Sequence, residues 1–295
     1  MYRLLEVDLS ETSSRVRELP EGLLRRALGG SGLGTQLLND ELPAGADPLG
    51  RESVLLFLTG PFAATPVPCG ERTSVICKSP LTGGWGGSDL GGRFGGVLRS
   101  CGFEGILLHG RSEHPRVLRM REGRVALGST DYLWGQDTYA THEMLAADEG
   151  AEASTLAVGP AGERQVLLSG IVSDGKDARV AARCGVGAVM GAKGLKAVCV
   201  MRGDHRVPLH DPERLQEMIR GSSRRGRSRR PGAGAPSAHG ALSLRLLPHR
   251  LRADRSGSGR SLGHSARSGR PGIRDHGLSG GKPADRRSGS SSQSQ

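Results

Sequence analysis

Apolar positions in the first 220 residues fall into short runs of two periods. Tyr2 to Leu9 alternates well enough for an opening strand, and Glu21 to Leu28, closed by Gly29-Gly30, predicts a short helix ending on glycine. A second helix is expected over 32–42. Unbroken apolar runs bounded by turn residues mark buried strands at Ser53 to Thr59, before Gly60-Pro61, and at Thr73 to Lys78, before Ser79-Pro80. Further along, the pattern predicts a helix over 91–101, a strand over 105–109 and a hairpin over 117–127 turning at Glu122-Gly123. Next come a helix over 138–147, strands over 155–158 and 165–172, a helix over 185–192 and a strand over 195–201. Strands and helices of this length without a regular βαβ rhythm indicate an α+β domain built on mixed sheet. A last helix opens at Asp211-Pro212, an N-cap with proline in the first turn, and its amphipathic pattern stops at Ile219.

Composition changes at that point. The chain of 295 residues has 41 basic and 30 acidic side chains, a net of +11. Residues 221–295 hold 15 Arg, 1 Lys and 3 Asp, a net of +13, so residues 1–220 carry 11 − 13 = −2. The basic character belongs to that tail, which is rich in Ser and Gly and contains no Val, Met, Cys, Phe, Tyr or Trp. A segment so poor in apolar area cannot offset its backbone entropy and is expected to be disordered. No apolar run reaches the roughly 18 residues of a membrane span and no signal-peptide layout opens the chain, so a cytoplasmic protein is expected. Five cysteines with successive gaps of 8, 24, 83 and 15 suggest neither a disulfide framework nor a CxxC metal knuckle.

Three glycine clusters stand out: Gly29 to Gly34, Gly83 to Gly96 and Gly185 to Gly191. Glycine lets backbone N–H groups approach an anionic ligand that side chains would block. Arg72 precedes the second cluster, Arg93 lies inside it, and Arg179 and Arg183 lead into the third, so cations and bare backbone recur together as a phosphate-bearing cofactor requires. The third cluster reads GxGxxxG rather than the dinucleotide GxGxxG, and Gly194 cuts its helix short. No hydrolase triad spacing, HExxH or Walker loop is present, and His109, His114 and His142 stand alone in the sequence. Arg72, Gly91 and Arg183 are therefore expected to share one hollow.

The combination Thr59-Gly-Pro61, Arg72, Lys78-Ser-Pro-Leu-Thr-Gly83, Gly91-Gly-Arg-Phe-Gly95, Val158-Gly-Pro-Ala-Gly-Glu163 and Gly185-Val-Gly-Ala-Val-Met-Gly-Ala-Lys-Gly-Leu-Lys-Ala197 resembles the N-terminal domain of aldehyde:ferredoxin oxidoreductases, in order and spacing, from about Tyr2 to Gly203. The resemblance implies a duplicated mixed-sheet domain over 1–205, the start of a helical domain over 206–220, and a tungsten bis-pterin cofactor whose metal is held by pterin sulfurs. Molybdenum is an equal candidate by the same ligands. It implies that Arg72 lies between the two pterins, that the backbone carbonyls of Asp89 and Val180 coordinate a bridging magnesium, and that Gly91, Gly92, Arg179, Ala182 and Arg183 also contact the cofactor. The implied reaction is aldehyde plus water to carboxylic acid, with electrons passing through a [4Fe–4S] cluster to ferredoxin; relatives reduce carboxylic acids or aromatic acyl-thioesters. A homodimer is left open, and no residue of this chain is assigned a catalytic role.

Four positions depart from the family pattern: Asp89 stands for asparagine, Val180 for alanine, Ala182 for glycine and Cys184 for glycine. A backbone carbonyl survives the first two changes, but a carboxylate near phosphates adds repulsion. Full-length members also carry a CxxCxxxC set with a distant fourth cysteine for the cluster, whereas this chain has no cysteine after Cys199, so it is expected to be inactive alone. The competing reading is a nucleotide- or nucleic-acid-binding protein without redox chemistry, weakened by the absence of aromatics among the tail's arginines. The tail is expected to be an out-of-frame translation of a GC-rich gene. Reading the downstream DNA in its other two frames should reveal CxxCxxxC, and a search that finds none refutes the frameshift.

Overall fold

A single six-strand pattern occurs twice in the chain. In the computed structural model, which describes residues 2–228 apart from the side chains of Asp177 and 222–228, the first sheet is built from β1 (Tyr2–Asp8), β2 (Ser13–Leu19), β3 (Leu55–Thr59), β4 (Thr73–Lys78), β5 (Trp85–Leu90) and β6 (Gly105–His109), in the order β2-β1-β6-β3-β4-β5. The second uses β7 (Arg116–Arg121), β8 (Arg124–Ser129), β9 (Ser154–Ala157), β10 (Ile171–Ser173), β11 (Arg179–Ala181) and β12 (Leu195–Val200), in the order β8-β7-β12-β9-β10-β11. Only β1 with β6 and β7 with β12 run parallel; every other neighbouring pair is antiparallel. Each strand thus has its counterpart six strands later, and the α+β, duplicated mixed-sheet architecture is that of the sequence expectation.

The helices follow the same repeat. Between the second and third strands lie α1 (Glu21–Ala27) and α2 (Gly30–Glu41) in the first half and α4 (Thr138–Glu149) in the second. Between the fifth and sixth lie α3 (Phe94–Ser100) and α6 (Val186–Ala192). Period-two alternation divides each strand's side chains between two faces. Leu5, Val7, Phe57, Val75, Ile106 and Leu108 from the first sheet join Leu118, Met120, Leu156, Val198 and Val200 from the second in one core cluster with Phe94 and Leu98 of α3 and Val189 and Met190 of α6. The opposite faces are covered separately: Leu4, Leu56, Leu58, Ile76 and Leu107 pack with Leu33 and Leu37 of α2, while Val117, Ala157, Ala197 and Cys199 pack with Leu145 of α4.

Several elements differ from the sequence expectation. The charged run at Ser13–Leu19 is β2, an edge strand paired with β1 whose side chains are largely exposed, so no apolar alternation marks it. Glycine-rich Trp85–Leu90 is β5, stabilised by its ladder to β4 rather than by its own propensity. Of the strand expected over 165–172 only Ile171–Ser173 forms; a short helix, α5 (Pro160–Glu163), and a turn occupy the residues before it. The reason is close packing: Gly162, Gly170, Gly187 and Gly191 bring this segment into backbone contact with α6. A Cβ on Gly191 would lie 1.9 Å from Gly162 O, and one on Gly187 2.5 Å from Gly170 O. The final helix, α7 (Pro212–Ser228), continues beyond Ile219. The expectation of a disordered, out-of-frame tail concerns residues that lie, beyond 228, outside the described ones.

Two lysines are buried in this frame. Lys193 donates to Ser53 O (2.5 Å) and Gly110 O (3.0 Å), and Lys196 to Gln136 O (2.7 Å), Val158 O (2.8 Å) and Glu163 Oε1 (2.5 Å). Burial pulls Lys193 down from 10.5 to about 7, against the attraction of Asp8 and Cys77. Between those two values the unfolded chain binds a proton that the folded chain has released, so this group makes stability rise with pH from about pH 7, by up to about 1.4 kcal/mol per pH unit. Burial also raises Cys77 and Cys199 from 9.0 to about 12. Those thiols ionise in the unfolded chain first, so they reverse the trend above about pH 9. Urea unfolding at fixed pH is expected to show a rise in stability between pH 7 and 8 that Lys193→Met abolishes, at a cost of about 1–3 kcal/mol for each carbonyl left unpaired; an unchanged slope contradicts the assignment.

Candidate functional site

The fifth strands of the two halves, β5 and β11, are both sheet edges, and they pack side by side. Asp89 and Val180 are the penultimate residues of these strands, opposite the second residues of β4 and β10, Ser74 and Val172. The two positions named for magnesium are therefore equivalent places in the repeat. Behind β11 the chain turns back along β5: the Arg183 N–H donates to Ser88 Oγ at 3.2 Å, and Cys184 Sγ lies 3.6 Å from Gly87 O. A hollow of about 360 Å³ opens there, lined by Gly87, Ser88, Asp89, Val180, Ala182 and Arg183.

A second hollow, of about 310 Å³, lies on the other flank of Asp89; Arg72, Ser74, Gly30, Ser31 and Gly60 are among its lining residues. The expected single hollow for Arg72, Gly91 and Arg183 is thus divided into two that share Asp89, with Arg72 on one side and Arg183 on the other. Ser74 Oγ donates to the Asp89 carboxylate at 2.6 Å, and Ser31 Oγ lies 3.2 Å from Ser74 Oγ, so this chain of hydroxyls holds the acid in place. The Arg72 and Arg183 side chains have no hydrogen-bond or ion-pair partner among the described residues. Both guanidinium groups are exposed and available to an anion.

Gly91 lines neither hollow; it sits against Arg179, whose Cγ would be 3.7 Å from a Cβ at that position. Arg179 is anchored in part by its own backbone, with N–H donating to Ser173 Oγ at 3.3 Å. Gly92 belongs to a third and larger hollow, about 920 Å³, with Glu71, Arg93, Glu152 and the segment Arg202 to Val207. Arg93, a candidate cation in the sequence, is consumed structurally: its Nη2 donates to Ala153 O at 2.6 Å, and it pairs with Glu152 (3.7 Å) and Asp174 (4.0 Å). Of the three histidines singled out in the sequence, His109 and His142 line none of these hollows and are not solitary, since His109 Nε2 is 3.7 Å from both Glu6 and Glu41, and His142 Nδ1 is 2.9 Å from Thr155 Oγ1.

What these residues can hold follows from their chemistry. Unpaired guanidinium groups, hydroxyls and main chain suit phosphate and polar heterocycle edges. A Cβ on Gly60 would meet nothing within 4 Å, so any side chain there would take up space in the second hollow. Among the described residues no group of three His, Cys, Asp or Glu side chains is gathered to hold a metal ion directly. The guanidinium groups, hydroxyls and main chain fit an anionic organic group, with Asp89 as the one discordant charge. Ser74 was not picked out in the sequence, and Ser31, Ser88 and Gly60 entered only as members of a glycine cluster or a motif; the pairing of β4 with β5 brings Ser74 against Asp89.

Residues 4–202 match the family described as "Aldehyde ferredoxin oxidoreductase, N-terminal domain". The chain belongs to this family. Among its relatives is the tungsten-containing aldehyde ferredoxin oxidoreductase of Thermococcus kodakarensis, 38% identical over 219 residues that cover 74% of this chain and 36% of the relative. The aliphatic sulfonate oxidoreductase, WOR-like subunit, of Pyrococcus furiosus is 34% identical, covering 74% and 37% of the two chains. Among solved structures, the active site complex BamBC of benzoyl coenzyme A reductase, in complex with 1,5-dienoyl-CoA, superposes with a TM-score of 0.75 at 29% identity, covering 80% of this chain and 36% of the other. The chain spans about a third of the length of the curated relatives it matches. These are oxidoreductases, and tungsten is part of the aldehyde ferredoxin oxidoreductases' name. In this chain, no helix among the described residues is long and apolar enough to cross a membrane.

The position of Asp89 between the two hollows yields a charge test. A unit charge about 4 Å from an exposed partner is worth about 1 kcal/mol, or about fivefold in affinity. Asp89→Asn is expected to tighten pyrophosphate binding by about fivefold and Arg72→Ala to weaken it by a similar factor, measured by calorimetric titration of the whole chain; equal affinities in all three proteins contradict the assignment of these hollows to an anion.

Proposed function

We propose that this chain is the cofactor-binding platform of a tungsten-pterin oxidoreductase that converts an aldehyde to a carboxylic acid. One observation carries the reading: equivalent strand ends of the two repeats, at Asp89 and Val180, line one hollow, with the unpaired guanidinium groups of Arg72 and Arg183 on opposite sides of Asp89. A cofactor made of two like halves finds here two like backbone settings. Arg72 would lie between the pterins and neutralise phosphate charge; the Asp89 and Val180 carbonyl oxygens would hold a bridging magnesium; Gly91, Gly92, Arg179, Ala182 and Arg183 would complete the cradle. When bound, such a cofactor supplies a metal centre able to accept the two electrons released as aldehyde and water become acid.

The part of this chain in the chemistry is to bind and orient. Its main chain and guanidinium groups would fix an anionic group, and the one carboxylate there, Asp89, is already engaged by the hydrogen bond from Ser74. The [4Fe–4S] cluster, the substrate pocket and the ferredoxin contact belong, in this reading, to the part of the family's length that this chain does not span. A second reading keeps the platform and changes the substrate. Likeness to a benzoyl coenzyme A reductase complex favours an aromatic acyl-thioester, reduced rather than oxidised.

Purified chain produced in a host that makes the pterin cofactor and is supplied with tungstate and molybdate is the test. Elemental analysis is expected to find tungsten or molybdenum, and acid denaturation to release fluorescent pterin at two per metal. Arg72→Ala and Arg183→Ala should each lower both signals together. Protein that carries neither metal nor pterin, yet retains RNA, overturns the proposal in favour of a nucleic-acid-binding protein.

A further inference from the structure

Five free cysteines are distributed unevenly: Cys77, Cys101 and Cys199 are buried, Cys69 is exposed and Cys184 is half-buried. Cys77 and Cys184 are far apart in sequence but meet at one glycine. Cys77 lies on the face of β4 that turns toward α6, and its partner across the ladder on β5 is Gly86. Cys184 precedes Gly185, the residue that opens α6, and the descent into that helix brings it over the same face of the sheet. A Cβ built on Gly86 would lie 3.1 Å from Cys184 Cβ. Directly opposed cross-strand Cβ atoms stand about 5 Å apart. The two cysteines therefore meet at a position that carries no side chain, at most about 8 Å apart Cβ to Cβ, and reaching the roughly 3.5–4.5 Å that a disulfide spans draws the Cys184 turn toward β4.

The two thiols are unequal. Burial pushes Cys77 up to about 12, and a charge on Cys184 would push it further, a sign that the sulfurs sense each other. Cys184 is the more reachable member, next in sequence to the exposed Arg183, and its side-chain hydrogen bond among the described residues, to Gly87 O, is long at 3.6 Å, so its rotamer is weakly held. A half-buried thiol paired with a fully buried one is the arrangement of an attacking and a resolving cysteine.

We propose that Cys184 and Cys77 form a peroxide-reactive pair that closes to an intramolecular disulfide across Gly86. The Cys184 thiolate attacks one oxygen of hydrogen peroxide, the O–O bond breaks, and the sulfur becomes a sulfenic acid while the other oxygen leaves as hydroxide and takes up the thiol proton to form water. Cys77 sulfur then attacks the Cys184 sulfur, its proton goes to the departing hydroxyl as a second water, and the S–S bond forms. Two thiols have lost two electrons and two protons, and peroxide has been reduced to two waters. The bond ties the Arg183-Cys184 turn to β4, so oxidation restrains the segment that lines the hollow shared by Asp89, Val180 and Arg183. This inference does not depend on which ligand the hollow takes.

The test uses the full chain, reduced, freed of reductant and exposed to equimolar hydrogen peroxide, then denatured, alkylated and digested with trypsin without reduction. Cleavage after Arg72, Lys78, Arg183 and Lys193 places the two thiols on separate peptides, Thr73 to Lys78 and Cys184 to Lys193. The expected result is joint loss of alkylation at Cys77 and Cys184, a linked species lighter by two hydrogen atoms than the two peptides together, and recovery of both on adding dithiothreitol. Cys101 and Cys199 should stay alkylatable. In Cys184→Ser, Cys77 should remain reduced; in Cys77→Ala, Cys184 should stop at the sulfenic acid and, given a second equivalent of peroxide, proceed to the sulfinic acid. Oxidation of Cys184 to the sulfinic acid in the unsubstituted protein with Cys77 still alkylatable, a link from either cysteine to Cys69, or no reaction at Cys184 overturns the proposal.

Discussion

The position of the site depends on backbone lying directly against backbone where α6 meets the segment after α5. Gly162 O and Gly170 O stand where side chains on Gly191 and Gly187 would have to be, so the helix can approach only because those side chains are absent. From that contact the rest of the second half follows. The helix start fixes the Arg183-Cys184 turn, the turn fixes β11 against β5, and the edges of the two sheets come together with Asp89 and Val180 in equivalent places. A single Cβ at either glycine would force this contact apart, and overpacking of that kind costs about 1–3 kcal/mol or more.

Electrostatics then make the contact a candidate seat for an anion. Two arginines near the site are engaged: Arg93 closes the gap between the halves at Ala153 and Asp174, and Arg99 reaches Gly60, Pro61 and Ala63 carbonyls. Arg72 and Arg183 differ in facing solvent from either side of Asp89 without partners. Exposed cations left unpaired beside glycine-lined hollows gain most from a ligand that brings negative charge. Asp89 works against them, and its hydrogen bond from Ser74 keeps the carboxylate anchored on the Arg72 side. Such an arrangement favours a ligand that arrives with a divalent cation over a bare polyanion, since the cation compensates the carboxylate.

Much of the fold was legible from the chain. Apolar runs such as Leu55–Thr59 and Leu195–Val200 are buried on both faces and announce themselves by composition. β2, β5 and β11 were not legible, because each is an edge strand stabilised by pairing: β2 is charged and exposed, β5 is glycine-rich, and β11 has only three residues. The site lies on two of these strands, so its residues could be named through the family resemblance while their division into two hollows could not. The duplication was likewise invisible in the residues, since Asp89 and Val180 share a structural position but no side-chain chemistry. Buried Lys193 and Lys196 gave no signal either; burial of a lysine is read from the carbonyls that converge on it, here contributed by residues far away in sequence.

If the paired strand ends are the seat of a metal-carrying cofactor, the metal must lie in one place. Anomalous scattering at the tungsten edge, from crystals of the whole chain produced with the cofactor, locates it without reference to any assumed ligand. The account predicts a single peak above the β5–β11 edge, beside the hollows that meet at Asp89. A peak in the larger hollow next to α3, or crystals of cofactor-exposed protein with no peak at all, would contradict it.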